Sequence, residues 1–185
     1  MHLHFNSFDA VQLKQTIMDK EKQSVKLDEL SIRFSGDSGD GMQLSGTLFS
    51  EASALFGNSV STFPDYPSEI RAPQGTIGGV SGFQLQIGSK KVNTPGDYCD
   101  VLVAMNPAAL KTNAKWLKVG ATIIVDSDSF NEKGYQRANY STDDPIKELK
   151  LEDYKVIFAP ISTLTKESLK ETDLDNKSIA RSKNM

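Results

Sequence analysis

Leu30, Ile32 and Phe34 alternate with polar neighbours, and that two-residue period runs into three glycines, Gly36, Gly39 and Gly41. Leu44, Leu48, Ala52 and Leu55 then step by three or four, the period of a helix. The pattern predicts a strand, a tight turn and a helix, the opening unit of a nucleotide-type α/β sheet. Val60 to Phe63 reads as a short second strand. Val80 to Ile87 alternates cleanly, which predicts a strand with one wetted face at an antiparallel edge, turning at Gly88 to Lys91. Val101 to Met105 and Ala121 to Val125 are continuous apolar runs, as parallel strands buried on both faces require. Between them Asn106-Pro107 starts a helix through Trp116, closed by Gly120. Residues 129–153 are polar and carry no clear period. Lys155 to Ala159 is the last expected strand, Thr163 to Lys170 a helix, and Lys177 begins another. The expected fold class is α/β and Rossmann-like: a mostly parallel central sheet, helices on both faces, and room for an antiparallel edge strand.

The glycine turn is the first candidate site. Backbone N–H groups at a helix start attract anions, and glycine lets the chain reverse close against the strand. Here the run Gly36-Asp37-Ser38-Gly39-Asp40-Gly41 reads G-x-x-G-x-G, where a dinucleotide fingerprint reads G-x-G-x-x-G. Asp37 and Asp40 also place two carboxylates where a pyrophosphate would sit, and like charges repel. The plain alternative is a βα turn whose aspartates cap free N–H groups. Asp65, near the end of the second strand, stands where an acidic residue would hold a ribose, but Pro64 and Pro67 beside it suggest an extended loop. Tyr66 to Gly79 is too rich in Pro and Gly for a helix and longer than most connections, so it reads as functional or interfacial. Glu69 and Arg71 are its charged members; a surface ion pair of little consequence is the simpler reading for them.

The 185 residues suffice for one domain with a real core, and 38% apolar with 24% charged residues describes a folded chain. A net charge of −3 gives no electrostatic pull toward nucleic acid or an anionic membrane. No apolar run approaches the length of a membrane span and no signal-peptide pattern opens the chain, so the expected compartment is the cytoplasm. The Asn-x-Ser matches at Asn139 and Asn176 are then chance. Cys99 is the one cysteine, and His2 and His4 both lie near the N-terminus. That set holds neither an iron–sulfur cluster nor a zinc ion, and no metal site is expected. Residues 1–29 read as an N-terminal helical arm, with Phe8, Val11, Leu13 and Ile17 on one weak stripe; residues 30–185 form the domain. Its final helix has barely one turn before Met185, which suggests a piece of a longer chain.

Several strings resemble the gamma domain of the 2-oxoacid:ferredoxin oxidoreductases. They are Ile32-Arg33-Phe34-Ser35-Gly36 with the Gly39-Asp40-Gly41 turn, the segment from Ser68 to Gly79, Asp97-Tyr98-Cys99-Asp100-Val101-Leu102-Val103-Ala104, and Ala180-Arg181-Ser182-Lys183-Asn184-Met185. The likeness covers residues 30–185 and is nearest to forms whose gamma domain precedes the alpha domain in one 2-oxoglutarate-type subunit. It implies a part of an enzyme that oxidatively decarboxylates a 2-oxoacid to an acyl-CoA and passes electrons to ferredoxin. In that enzyme thiamine diphosphate with Mg²⁺, iron–sulfur clusters and CoA carry the chemistry, on a thiamine-binding beta subunit and the alpha domain. The gamma domain is implied to be non-catalytic and near the CoA access route. Gly36, Asp37, Ser38, Gly39, Asp40, Gly41, Glu69 and Arg71 would then be CoA or interface loops. Two departures stand out. The family loop G-x-G-G-Q-G appears as G-D-S-G-D-G, and P-E-x-R-G-G appears as Ser68-Glu69-Ile70-Arg71-Ala72-Pro73. Gly39-Asp40-Gly41 also mimics the start of a thiamine diphosphate motif, but the Asn-Asn pair that motif needs is missing from the stretch Asp65 to Ala72. Two other readings stay open: an NAD(P)-binding dehydrogenase domain using Gly36 to Gly41 and Asp65, and a ligand-free subunit-interaction module.

Overall fold

The computed structural model describes residues 26–37, 39–66, 80–170, 172, 175 and 178. The expected arm falls outside them except for its last four residues, as does the expected helix from Lys177 apart from Ser178. Six strands, β1 (Glu29–Asp37), β2 (Ser59–Asp65), β3 (Val80–Gly88), β4 (Cys99–Ala104), β5 (Leu117–Asp126) and β6 (Lys155–Ala159), form one sheet in the order β2-β3-β1-β4-β5-β6. β1 to β4, β4 to β5 and β5 to β6 are parallel pairs; β3 runs antiparallel to both β1 and β2. The sheet is thus mixed and mostly parallel, as expected. Five α-helices lie among the described residues, four between strands and one after β6: α1 (Met42–Leu55), α2 (Pro107–Asn113), α3 (Glu132–Arg137), α4 (Pro145–Glu148) and α5 (Ile161–Ser168). Among the described residues no helix is long and apolar enough to cross a membrane.

Successive strand residues point to opposite faces, so contacts from neighbouring positions on β1 assign the helices. Phe34 meets Phe49 of α1 with ring centroids 6.0 Å apart. Arg33 and Ser35 instead bond Asn113 at the end of α2. The two helices therefore cover opposite faces. Leu102, Ala104, Leu110, Ile123 and Val125 are fully buried between the parallel strands and α2. Each large aliphatic side chain there contributes about 1.5–3 kcal/mol of burial.

α1 packs by the stripe the sequence did not point to. Met42, Gly46 and Ser53 are its buried residues, while Leu44, Leu48 and Leu55 face outward, Leu55 being 88% exposed. The cause is the aromatic ring of Phe83. A Cβ placed on Gly46 would sit 2.2 Å from Phe83 Cδ1, so the helix lies so close to the sheet that only a hydrogen fits there.

Four further expectations are corrected. β3 is antiparallel and belongs to the edge pair, as expected, but it is paired on both sides rather than outermost, and Gln84, a polar position of its alternation, is 3% exposed. The edge is β2, which carries Pro64 within it and Asp65 at its end, where an extended loop was expected. An edge position tolerates a missing N–H. Gly120 does not close α2, which ends at Asn113 and passes through one 3₁₀ turn, Ala114–Trp116. Gly120 lies in β5 at φ 78°, inside a bulge: Cys99 pairs with Leu117, but Val101 pairs with Thr122. Residues 129–153 hold the short helices α3 and α4, capped by Asn131 and Asp144.

Replacing a helical glycine by alanine ordinarily stabilises by about 1 kcal/mol. At Gly46 the sign reverses, because Phe83 must move. Gly46→Ala is expected to lower stability by about 1–3 kcal/mol, read as a lower urea midpoint at unchanged slope. Gly39→Ala, where an added Cβ meets nothing within 4 Å, leaves the midpoint in place.

Candidate functional site

β1 runs through Gly36 and Asp37 before the chain turns, so these two belong to the strand rather than to the loop. The turn closes with Asp40 N donating to Asp37 O at 2.9 Å, and Asp37 N donating back to Asp40 Oδ2 at 2.8 Å. Gly41, at φ 72°, is the left-handed residue that opens α1; no side chain caps that helix. Gly36 is needed for a different reason: a Cβ there would lie 2.8 Å from Asp40 Oδ2 and 3.1 Å from Met105 Cβ. Asn106, at the start of α2, donates from Nδ2 to Asp37 Oδ1 at 2.8 Å and lies 3.5 Å from Asp40 Oδ2. Its Oδ1 accepts from Ala109 N at 2.8 Å and caps α2. Asp37 and Asp40 are thus built into the turn by hydrogen bonds, but neither caps a free N–H of α1, where the plain alternative had placed them.

This turn sits where β1 gives way to β4, the point at which the strand order reverses and α/β sheets usually bind ligands. The chain leaves the described residues at Tyr66, at the same end of the sheet. It returns at Val80, which pairs with Asp37. Ser38, Glu69 and Arg71 lie outside the described residues. Of the expected site residues, Gly36, Asp37, Gly39, Asp40 and Gly41 are therefore together.

A second polar centre lies on the α2 face. The Arg33 side chain is 10% exposed, and its guanidinium donates to Asp65 Oδ2 at 2.5 Å, Asn113 Oδ1 at 2.6 Å and Gln84 Oε1 at 3.0 Å. Asn113 in turn donates to Ser35 Oγ at 2.7 Å, and Gln84 to the carbonyls of Pro95 and Gly96. These residues floor a cavity of about 460 Å³ walled by Phe63, Asp97, Lys115 and Trp116. Sequence reasoning passed over Arg33, Gln84 and Asn113. The available signal was a polar residue in mid-strand between large apolar ones, at Ile32-Arg33-Phe34 and Phe83-Gln84-Leu85. Asp65 is held by Arg33, so its carboxylate is already engaged where a ribose partner was considered.

Among the described residues, Asp126, Asp128 and Cys99 are engaged in structural contacts. Asp126 is fully buried and accepts from Ser129 Oγ and Ile161 N, at 2.9 and 3.1 Å, while Asp128 accepts from Thr163 N at the first turn of α5. Cys99 is fully buried, donates to the Trp116 carbonyl, and burial pushes its thiol up to about 11, leaving little thiolate at neutral pH. Among the described residues no group of three His, Cys, Asp or Glu stands ready for a metal ion.

A family sequence model described as pyruvate ferredoxin/flavodoxin oxidoreductase matches residues 31–185. The chain is 48% identical over 160 residues to the 2-oxoglutarate oxidoreductase subunit KorA of Mycobacterium tuberculosis, covering 86% of this chain and 24% of that protein. It is 34% identical over 108 residues to the 2-oxoglutarate synthase subunit KorC of Methanothermobacter marburgensis, covering 57% of this chain and 54% of that one. The chain thus spans about a quarter and about half of these two relatives. Among solved structures, the 2-oxoglutarate:ferredoxin oxidoreductase of Magnetococcus marinus, with 2-oxoglutarate, coenzyme A and succinyl-CoA bound, matches at a TM-score of 0.60 and 27% identity. That match covers 86% of this chain and 23% of the other. The gamma subunit of a keto/oxoacid ferredoxin oxidoreductase from Geobacter sulfurreducens shares the fold, at TM-score 0.57, 21% identity, and 85% and 71% coverage.

The Arg33 cluster makes unequal demands on its two charges. Arg33→Met strands Gln84, Asn113 and Asp65 together and is expected to destabilise by about 2–4 kcal/mol. Asp65→Asn keeps an acceptor for Nη2 at a carboxylate already 42% exposed, and is expected to cost less than about 1.5 kcal/mol. Urea unfolding of the two variants checks the order.

Proposed function

The chain belongs to the pyruvate ferredoxin/flavodoxin oxidoreductase family as its gamma domain, and from that premise we propose that it serves a 2-oxoglutarate:ferredoxin oxidoreductase. In this reading the assembled enzyme converts the 2-oxoacid to its acyl-CoA and reduces ferredoxin in the cytoplasm, while residues 30–185 position and support rather than catalyse. Thiamine diphosphate with Mg²⁺ would supply the carbanion chemistry and iron–sulfur clusters the electron path, but this chain's residues do not fit either group. Gly39-Asp40-Gly41 lacks its Asn-Asn partner, and one walled-in thiol cannot hold a cluster. Both groups therefore belong to a thiamine-binding beta subunit and to an alpha domain, the proposed partners.

The observation that carries this reading is the closure of the glycine turn on its own carboxylates. A dinucleotide site wants bare N–H groups at that turn and a ribose-binding acid on β2. Here Asp37 and Asp40 occupy the turn, and Asp65 is bonded to Arg33. Both features disfavour an NAD(P)-binding dehydrogenase. The turn offers instead a polar edge, cross-linked by hydrogen bonds, for a neighbouring subunit. The positive charge that CoA phosphates require would come from Arg71, with Glu69, on the loop that starts and ends at this edge.

Co-expression with the thiamine-binding subunit is expected to give a stable co-purifying complex; no association under any salt condition overturns the proposal. Within the complex, Arg71→Ala is expected to weaken CoA binding about tenfold, the worth of one charge-assisted contact. Unchanged affinity removes CoA from this loop and leaves the subunit-interaction reading.

A further inference from the structure

The amide of Asn106 does two jobs with its two ends. Oδ1 caps α2 through Ala109 N, and Nδ2 supplies a donor to Asp37 Oδ1 with Asp40 Oδ2 beside it. The assignment of oxygen and nitrogen follows from chemistry: a backbone N–H needs the acceptor, and a carboxylate needs the donor. Just beneath the turn the backbone also ties β1 to the residue that follows β4, Met105 N donating to Ser35 O at 2.9 Å. Two carboxylates at one tight turn repel each other, and Asp40 Oδ2 already takes up Asp37 N. The Asn106 N–H group is placed to offset that repulsion from the neighbouring loop.

We propose that Asn106 is a positioning residue, which fixes the shape of the Gly36–Gly41 turn from across the β1–β4 crevice and so sets the geometry this edge presents to CoA and its subunit. The proposal rests on the reading above for what the edge faces, but not for the positioning itself. The cap and the clamp are separable. Aspartate caps a helix as well as asparagine does, so Asn106→Asp keeps the α2 start and replaces the clamp's donor with a third carboxylate. Asp37→Asn added to it returns a donor from the opposite side, so the hydrogen bond re-forms with its polarity reversed.

Amide hydrogen exchange on the chain tests the clamp. Asn106→Asp is expected to lower protection at Asp37 and Asp40 by about tenfold or more, the worth of a hydrogen bond to a charged group. Protection at Leu110 in α2 should stay as it was. The double variant should recover most of the loss, a coupling that a residue acting only as a helix cap would not show. Unchanged protection at Asp37 and Asp40 in Asn106→Asp, or no recovery in the double variant, overturns the proposal. In the assembled enzyme Asn106→Asp is expected to raise the KM for CoA with kcat held within about twofold, reversed in the double variant. A turn that loosens and recovers while the KM stays fixed supports the clamp and overturns the placement of CoA at this edge.

Discussion

The guanidinium of Arg33, nine-tenths buried in the middle of β1, is the constraint on which the arrangement of this domain depends. A buried cation without partners is strongly unfavourable, so its hydrogen bonds are obligatory rather than ornamental. Each of its three acceptors comes from a different element: Asp65 from β2, Gln84 from β3 and Asn113 from α2. One side chain thereby ties the antiparallel half of the sheet to the helix that covers the parallel half. Gly82 belongs to the same solution, since a Cβ there would lie 3.3 Å from Arg33 Nη2. Gln84 extends the network to the carbonyls of Pro95 and Gly96, which brings the segment before β4 onto the sheet.

On the other face the deciding element is Phe83. Its ring excludes a side chain at Gly46, draws α1 close to the sheet, and selects the Met42, Gly46, Ser53 stripe as the inner one. The leucines of α1 are left outside, with Phe56, also 88% exposed, at the helix end. A helix that buries glycine and serine while exposing leucines gains little from solvent exclusion on its own account. Its place is set by shape, and its outer ridge is the kind of apolar surface that assemblies cover.

The strands that read most clearly in the sequence are those with no polar obligations. Val101 to Met105 and Ala121 to Val125 are continuous apolar runs and became β4 and β5, with Leu102, Ala104, Ile123 and Val125 fully buried on the α2 face and Val101, Val103 and Ile124 half-buried on the other. Asn106-Pro107 marked α2 because cap and first-turn proline act locally. The face of α1 was not legible: Leu44, Leu48, Ala52 and Leu55 fit a helical period as well as the true inner stripe does, and only Phe83, some forty residues on in the chain, decides between them. Gln84 looked wetted because alternation reports polarity, not whether a distant arginine will meet it. α3 and α4 escaped for a similar reason, being too short to show a period and held by caps at Asn131 and Asp144. For the candidate site, the location of the turn was legible from its glycines, but the amide that braces it was not, since Asn106 lies on another loop.

Magnitudes decide what such a turn will accept. Anions gain about 0.3–1 kcal/mol from an exposed helix N-terminus. A unit negative charge about 4 Å from another near a protein surface feels a repulsion of about 4 kcal/mol, and this turn carries two carboxylates, Asp37 and Asp40. Hydrogen bonds from Asn106 Nδ2 and from the Asp37 N–H hold those carboxylates in position. A pyrophosphate laid on the turn therefore loses more than α1 can return. Phosphates that approach this edge need a cation from elsewhere, and a partner surface meeting it does best with donors of its own. On that balance the glycine turn, placed where a nucleotide-binding sheet would make its site, disfavours any phosphate that brings no cation with it.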